Sequence, residues 1–138
     1  MASYDKHSVV LGANLFAASE FIGDAVGNSN VVDLWGFEAL EFVASVGNAT
    51  PANASNTFSF EVYEANLVSL ADAAVVDPKY LIGNLNFDGS DNFTAKRMGY
   101  VGKKRYVYLR LTITGNSTAT FSVVALKASP KFAPTEEN

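Results

Sequence analysis

Residues able to make or break bonds are few. His7 is the one histidine of the 138-residue chain, so a serine or threonine nucleophile has a single possible imidazole base, close to the N-terminus. Cysteine is absent, which removes disulfides, thiolate metal ligands and thiol nucleophiles together. A His-ligated zinc site needs more imidazoles than this chain has. The fourteen acidic residues make chance pairs of carboxylates abundant, yet no spacing marks one out as the acid and base of a glycosidase. Asp88-Gly89-Ser90-Asp91-Asn92 offers oxygen ligands without the length and closing Glu of a calcium loop, and reads as a polar β-turn. Gly99-Tyr100-Val101-Gly102-Lys103-Lys104 lacks the phosphate-loop spacing and opens a strand rather than a helix. Trp35, beside Gly36 and Phe37, suits a sugar-stacking platform, but a lone Trp between strands more often serves a core or an interface. These patterns predict a protein that is not an enzyme and carries no cofactor or metal.

The elements that must position these residues read as strands. Lys104 to Thr114 alternates, with Val107, Leu109, Leu111 and Ile113 on one face and Tyr106, Tyr108, Arg110 and Thr112 on the other. That period marks a strand with one face in a core. Gly115-Asn116-Ser117 turns the chain into Thr118 to Lys127, where Phe121, Val123 and Ala125 share a face, and the two runs predict an antiparallel hairpin. Thr57 to Glu64 directs Phe58, Phe60 and Val62 inward and Ser59, Glu61 and Tyr63 outward. Phe37 to Val46 aligns Leu40, Phe42, Ala44 and Val46. Ser8 to Phe16, Asn30 to Leu34, Tyr80 to Ile82 and Ala95 to Val101 are weaker strands. Ser69, with Asp72 at the third helical position, predicts one capped helical turn over Leu70 to Ala74. Turn chemistry separates the runs at Gly23 to Asn28, Gly47 to Asn56, Asp88 to Asp91 and Gly99 to Lys103. About eight strands on this spacing predict an all-β fold, a two-sheet antiparallel β-sandwich of jelly-roll-like arrangement, with an immunoglobulin-like topology the competing order.

Length and 49% hydrophobic content suit a single domain with a real core. That domain is expected over residues 1–128. Pro130, Pro134 and the closing acids predict an extended tail over 129–138, either mobile or an arm ordered by a neighbouring subunit. No apolar run has the length of a membrane span, and Met1 to His7 leads into no signal-type apolar stretch, so synthesis in a cytoplasm and no membrane partner are expected. Asn48, Asn53, Asn92 and Asn116 each begin a glycosylation sequon, and turn chemistry is the simpler account of them.

Charge is segregated along the chain. Residues 1–91 hold twelve acids and two bases, whereas residues 92–135 hold eight bases and no acid. Strands of the two halves can interleave and neutralise one another. Alternatively the basic half docks on an acidic protein lattice or a sister copy. Nucleic acid is the least favoured partner, because a net charge of −4 repels phosphate over much of the surface.

Several segments carry a resemblance in order from about residue 30 to 134. They are Asn30 to Leu34, Gly36 to Gly47, Phe58 to Glu64, Tyr80 to Gly83, Gly99-Tyr100-Val101-Gly102-Lys103-Lys104-Arg105-Tyr106-Val107, Thr112 to Gly115 and Ala128 to Pro134. Together they resemble the small decoration or cement proteins of tailed-bacteriophage capsids, and are similar to that of Bordetella-type short-tailed phages. Tyr108 departs from the expected basic or small polar residue. The resemblance implies a jelly roll that self-associates as a dimer or trimer and binds the outside of the major capsid protein lattice, stabilising the head. The expected location is the virion exterior, after synthesis in the host bacterial cytoplasm. Candidate contact residues are Lys103, Lys104, Arg105, Tyr106, Tyr108 and Phe132. The competing functions are a virion-displayed carbohydrate-binding sandwich and a head–tail or tail component.

Overall fold

A computed structural model describes residues 10–22, 25–50, 57–91, 93–114 and 118–130. His7, the turn at 115–117, the sequon asparagines 53, 92 and 116, and Phe132 with the rest of 131–138 lie outside the described residues. In chain order the strands are β1 (Val10–Ile22), β2 (Ala25–Asn28), β3 (Val32–Asp33), β4 (Phe37–Thr50), β5 (Thr57–Ala65), β6 (Ala74–Val75), β7 (Leu81–Gly83), β8 (Asn86–Asp88), β9 (Thr94–Tyr100), β10 (Tyr106–Thr114) and β11 (Thr118–Pro130). A 3-10 turn at Pro78–Tyr80 precedes β7; Asp77 caps it by accepting from the Lys79 amide.

Two antiparallel sheets form. One has the order β1-β11-β4-β9-β7; the other has β2-β10-β5-β6, with β3 also on β10 and β8 also on β5. β2 and β3 together fill one position beside β10, and β6 and β8 fill one beside β5. With β7 as an added edge, the two orders are those of a jelly roll, which excludes the immunoglobulin-like alternative.

Period-two patterning decides what is buried. Leu40, Phe42, Ala44 and Val46 of β4, Phe58, Phe60 and Val62 of β5, Val107, Leu109, Leu111 and Ile113 of β10, and Phe121, Val123 and Ala125 of β11 all lie in the core, as the alternation predicts. Phe121 crosses between layers and meets Phe58 and Phe60 edge-on, with ring centroids 5.2 and 5.7 Å away. Such edge-to-face pairs add to the burial itself. Val76, Leu85 and Phe87 complete the core from segments with no alternation.

Three expectations are corrected. β10 and β11 do not form a hairpin. They lie in opposite sheets, paired with β5 and with β4 and β1, so their apolar faces meet across the core instead of lying side by side. Residues 25–28 form β2 rather than a turn, and the backbone of Asn48, Ala49 and Thr50 continues β4 because β11 extends to pair with it. No helical turn forms over Leu70 to Ala74. Leu70 adopts a left-handed φ of 61°, and the Asp72 carboxylate reaches back to the Asn66 and Leu67 amides at 2.9 and 3.1 Å. Tyr108 lies on the outer face of its sheet, as the alternation predicts, and is buried there, stacked on the cross-strand Tyr63 at 5.3 Å.

Between β2 and β3 the ladder on β10 is interrupted, and Ser29 repairs it. Its amide donates to the Leu109 carbonyl at 2.8 Å, and its hydroxyl accepts from the Leu109 amide at 2.9 Å. Ser29→Ala should therefore cost about 1–3 kcal/mol by stranding a buried donor. Phe58→Ala should cost about 3–5 kcal/mol. Denaturant midpoints at unchanged slope check both, with outward-facing Ser59→Ala expected within about 0.5 kcal/mol of the unaltered chain.

Candidate functional site

The site is built where β9 ends and β10 begins. Tyr100 closes β9 with its ring directed into the core, 2% exposed. Its hydroxyl donates across the sandwich to Glu64 Oε2 of β5 at 2.6 Å and accepts from the Lys104 amide at 3.2 Å. Burial, and then the bond to Glu64, push this phenol well above its ordinary range. Residues 101–104 consequently wrap over the ring. A Cβ on Gly102 would run into that ring, which is why the position takes glycine.

Facing this loop is the turn that leads into β4. Phe37 donates its amide to the Leu34 carbonyl at 2.9 Å, and Gly36 supplies the positive φ of 85° that such a turn needs at its third position. Trp35 stands at the tip, 65% exposed. Asp33 ties turn to loop. Its carboxylate accepts from the Trp35 amide at 2.9 Å and takes the Arg105 guanidinium through Nε and Nη2, both at 2.9 Å. The Leu34 amide donates to the Arg105 carbonyl at 2.8 Å. From β11, Lys127 places its ammonium 3.4 Å from the Asp33 carbonyl and 4.8 Å from the centre of the Phe37 ring. The Arg105 hydrogen bonds hold the Asp33 carboxyl below its ordinary pKa, with the Trp35 amide adding to the effect.

Between the two walls, residues 34–38 and 101–105, lies an open groove of about 650 Å³. The structure thus brings Lys103, Lys104 and Arg105 together with Trp35, which the sequence alone keeps in separate arguments. Lys103 and Lys104 are exposed, and among the described residues neither has a carboxylate in ion-pair range. Arg105 is engaged by Asp33 and also lies over the Tyr106 ring at 5.1 Å. Tyr106 is half-buried at the start of β10; Tyr108, stacked on Tyr63, is outside the groove. Asp33 is the member that sequence reasoning misses. It lies 72 positions from Arg105, and the one hint is the segregation of acids and bases along the chain. That segregation resolves in part as interleaving: Arg105 meets Asp33, Arg97 of β9 meets Glu41 of β4 at 3.6 Å, and Lys96 meets Asp91 at 3.2 Å.

The acidic turn after β8 is also accounted for. Asp88 accepts from the Ser90 amide and hydroxyl, and Asp91 accepts from the Asp88 amide and from Lys96. Among the described residues no group of three or more His, Cys, Asp or Glu side chains is placed to hold a metal, and no helix is long and apolar enough to cross a membrane.

Two consequences are measurable. Gly102→Ala should destabilise by about 1–3 kcal/mol through overpacking against the Tyr100 ring. Because the Asp33 pKa is depressed by folding, its stabilisation is complete above the ordinary carboxylate value and is lost as pH falls through and below about 4. Trp35 is the only tryptophan, so its emission should change over that acid range while far-ultraviolet circular dichroism stays constant. Asp33→Asn should abolish the step.

No protein-family model matches the chain, and no curated protein matches it. Among solved structures it is similar to that of infectious bursal disease virus Gx strain (TM-score 0.46, 9% identity, covering 91% of this chain and 35% of that one). The structure of the Gt strain is also similar (0.43, 10%, 91% and 34%). A further match is the Clostridium thermocellum endo-1,4-β-D-xylanase 10B CBM22-1–GH10 modules complexed with xylohexaose (0.46, 14%, 94% and 28%). This chain spans about a third of the length of the chains it matches.

Proposed function

We propose that this chain is a capsid decoration protein of a tailed bacteriophage, whose copies associate with one another and bind the outer surface of the major capsid protein lattice, stabilising the head from the virion exterior. The observation that carries the reading is the fixed cationic wall of the groove. Gly99 to Val107, the run most like the short-tailed-phage cement proteins, is the run that Tyr100 and Asp33 hold in place while Lys103 and Lys104 face solvent. A loop already ordered loses little entropy on docking, and its charge complements an acidic coat surface. Repetition over a shell then turns weak single contacts into lasting attachment.

The exposure of Trp35 at the groove tip favours a second reading, a carbohydrate-binding sandwich displayed on the virion. The groove supplies few of the paired amide and carboxylate groups that orient sugars: Glu38 is the one carboxylate or amide side chain among the residues lining it. This ranks it second.

Mixed with undecorated shells at physiological salt, the purified chain should co-sediment with them. Lys103→Glu combined with Lys104→Glu should weaken that binding by about tenfold or more. Failure of the unaltered chain to bind any shell sinks the proposal. A glycan array is the counter-test, since sugar binding abolished by Trp35→Ala would move the second reading to first place.

A further inference from the structure

The outer faces of the two sheets differ. In an antiparallel sandwich each outer face meets water and carries polar side chains. β10 and β5 conform: on their outer side Arg110 is opposite Glu61 and Thr112 is opposite Ser59. The sheet of β11, β4, β9 and β7 does not. Its register aligns Val124 with Val43, Ala128 with Ala39, and Leu126 with Glu41, Gly99 and Ile82 in turn. These positions alternate with the buried ones, so an apolar patch crosses the outside of four strands. Ile82 is 65% exposed, and Val43, Val124 and Leu126 are partly exposed. The charges set among them, Glu41 and Arg97, lie 3.6 Å apart. We infer that this face is the contact between two copies of the chain, packed sheet on sheet about a two-fold axis that crosses the strands between Glu41 and Val43.

Shape, charge and area each favour a second copy as the occupant. Gly99 has no side chain, and over it lies a hollow of about 590 Å³ with Glu41, Ile82 and Leu126 on its rim. The two-fold places Leu126 of each copy on Val124 of the other, and Arg97 of each over the partner's Gly99, beside the partner's Glu41. The hollow thus receives an arginine stem between apolar walls with a carboxylate at its head, and the contact is the same in both directions. Copies with a net charge of −4 repel one another over much of their surface, but here one acid and one base cancel. At about 4.8 Å between strands and 3.3 Å per residue, the patch covers on the order of 400 Å², a size at which apolar patches on monomers are often functional. Burying it with its rim on both copies removes on the order of 1,000 Å² from water, the lower end for a specific interface, so micromolar rather than nanomolar association is expected. This gives the self-association within the capsid reading its surface, and rests on that part alone.

Sedimentation equilibrium of the full chain without shells tests it. The unaltered chain should form a dimer with a dissociation constant of micromolar order. Leu126→Glu should weaken it about tenfold or more by burying an unpaired charge, and Ser59→Arg, outside the other sheet, should leave it unchanged. Glu41→Arg and Arg97→Glu should each stop self-association, because each brings like charges together. Mixed with one another, the two should form a heterodimer, which also shows that both are folded. A strictly monomeric unaltered chain overturns the inference, as does a dimer that Leu126→Glu leaves intact or a mixture that stays monomeric. Lys103 and Lys104 line the groove and not this hollow, so shell binding is read separately. A chain that binds shells yet stays monomeric removes this contact alone; one that dimerises yet binds no shell supports the contact and removes the capsid reading.

Discussion

Every feature of this molecule depends on the burial of one apolar face per strand against the opposite sheet, and the phenyl rings of Phe58, Phe60 and Phe121 are where that contact is most specific. Phe121 comes from the sheet of β1, β11, β4, β9 and β7; its two partners come from β5 in the other. Edge-on rings hold a defined spacing and relative slide, which branched aliphatic side chains specify less sharply. With that spacing set, the Tyr100 hydroxyl falls within reach of Glu64 across the layers, and the loop from 101 to 105 has a fixed floor. The exposed groove is therefore a product of the core.

How much of this was legible in the sequence follows from what alternation encodes. Leu40, Phe42, Phe58, Val62, Leu109 and Phe121 were all assignable to the interior, because a period of two names the buried face directly. It does not name the partner strand. β10 and β11 look like the arms of a hairpin, and only the demand that both apolar faces share one core separates them into opposite sheets. Short elements such as β6 and β8 have too few residues to show a period at all. The wall carrying Lys103, Lys104 and Arg105 was visible as a motif, but its counterpart was not. Asp33, distant in sequence, has no local signature, and Trp35 carried no mark that would set it opposite the lysines. Tyr108 reads as outward and is outward, yet a cross-strand ring covers it, a matter of side-chain partners that spacing does not reveal.

Electrostatics follow the same logic. A chain with its acids early and its bases late would be strongly polar if the halves were separate bodies. The jelly roll threads late strands between early ones, so Arg97 faces Glu41 and Arg105 faces Asp33. Exposed pairs of this kind add little to stability. Their larger effect is local, since pairing Lys96, Arg97 and Arg105 leaves Lys103 and Lys104 as the exposed charges of the loop at this end of the sandwich.

The position of β11 has a consequence for how the molecule comes into being. It lies between β1 and β4, so among the described strands the last in sequence is the one that joins the first to the middle of its sheet. A chain emerging from a ribosome cannot complete that layer until β11 has been made, and its native contacts are mostly long-range pairings of the sort that form slowly. Assembly of that sheet is thus deferred until translation has delivered β11, and fragments lacking it are left with half-built layers and open edges.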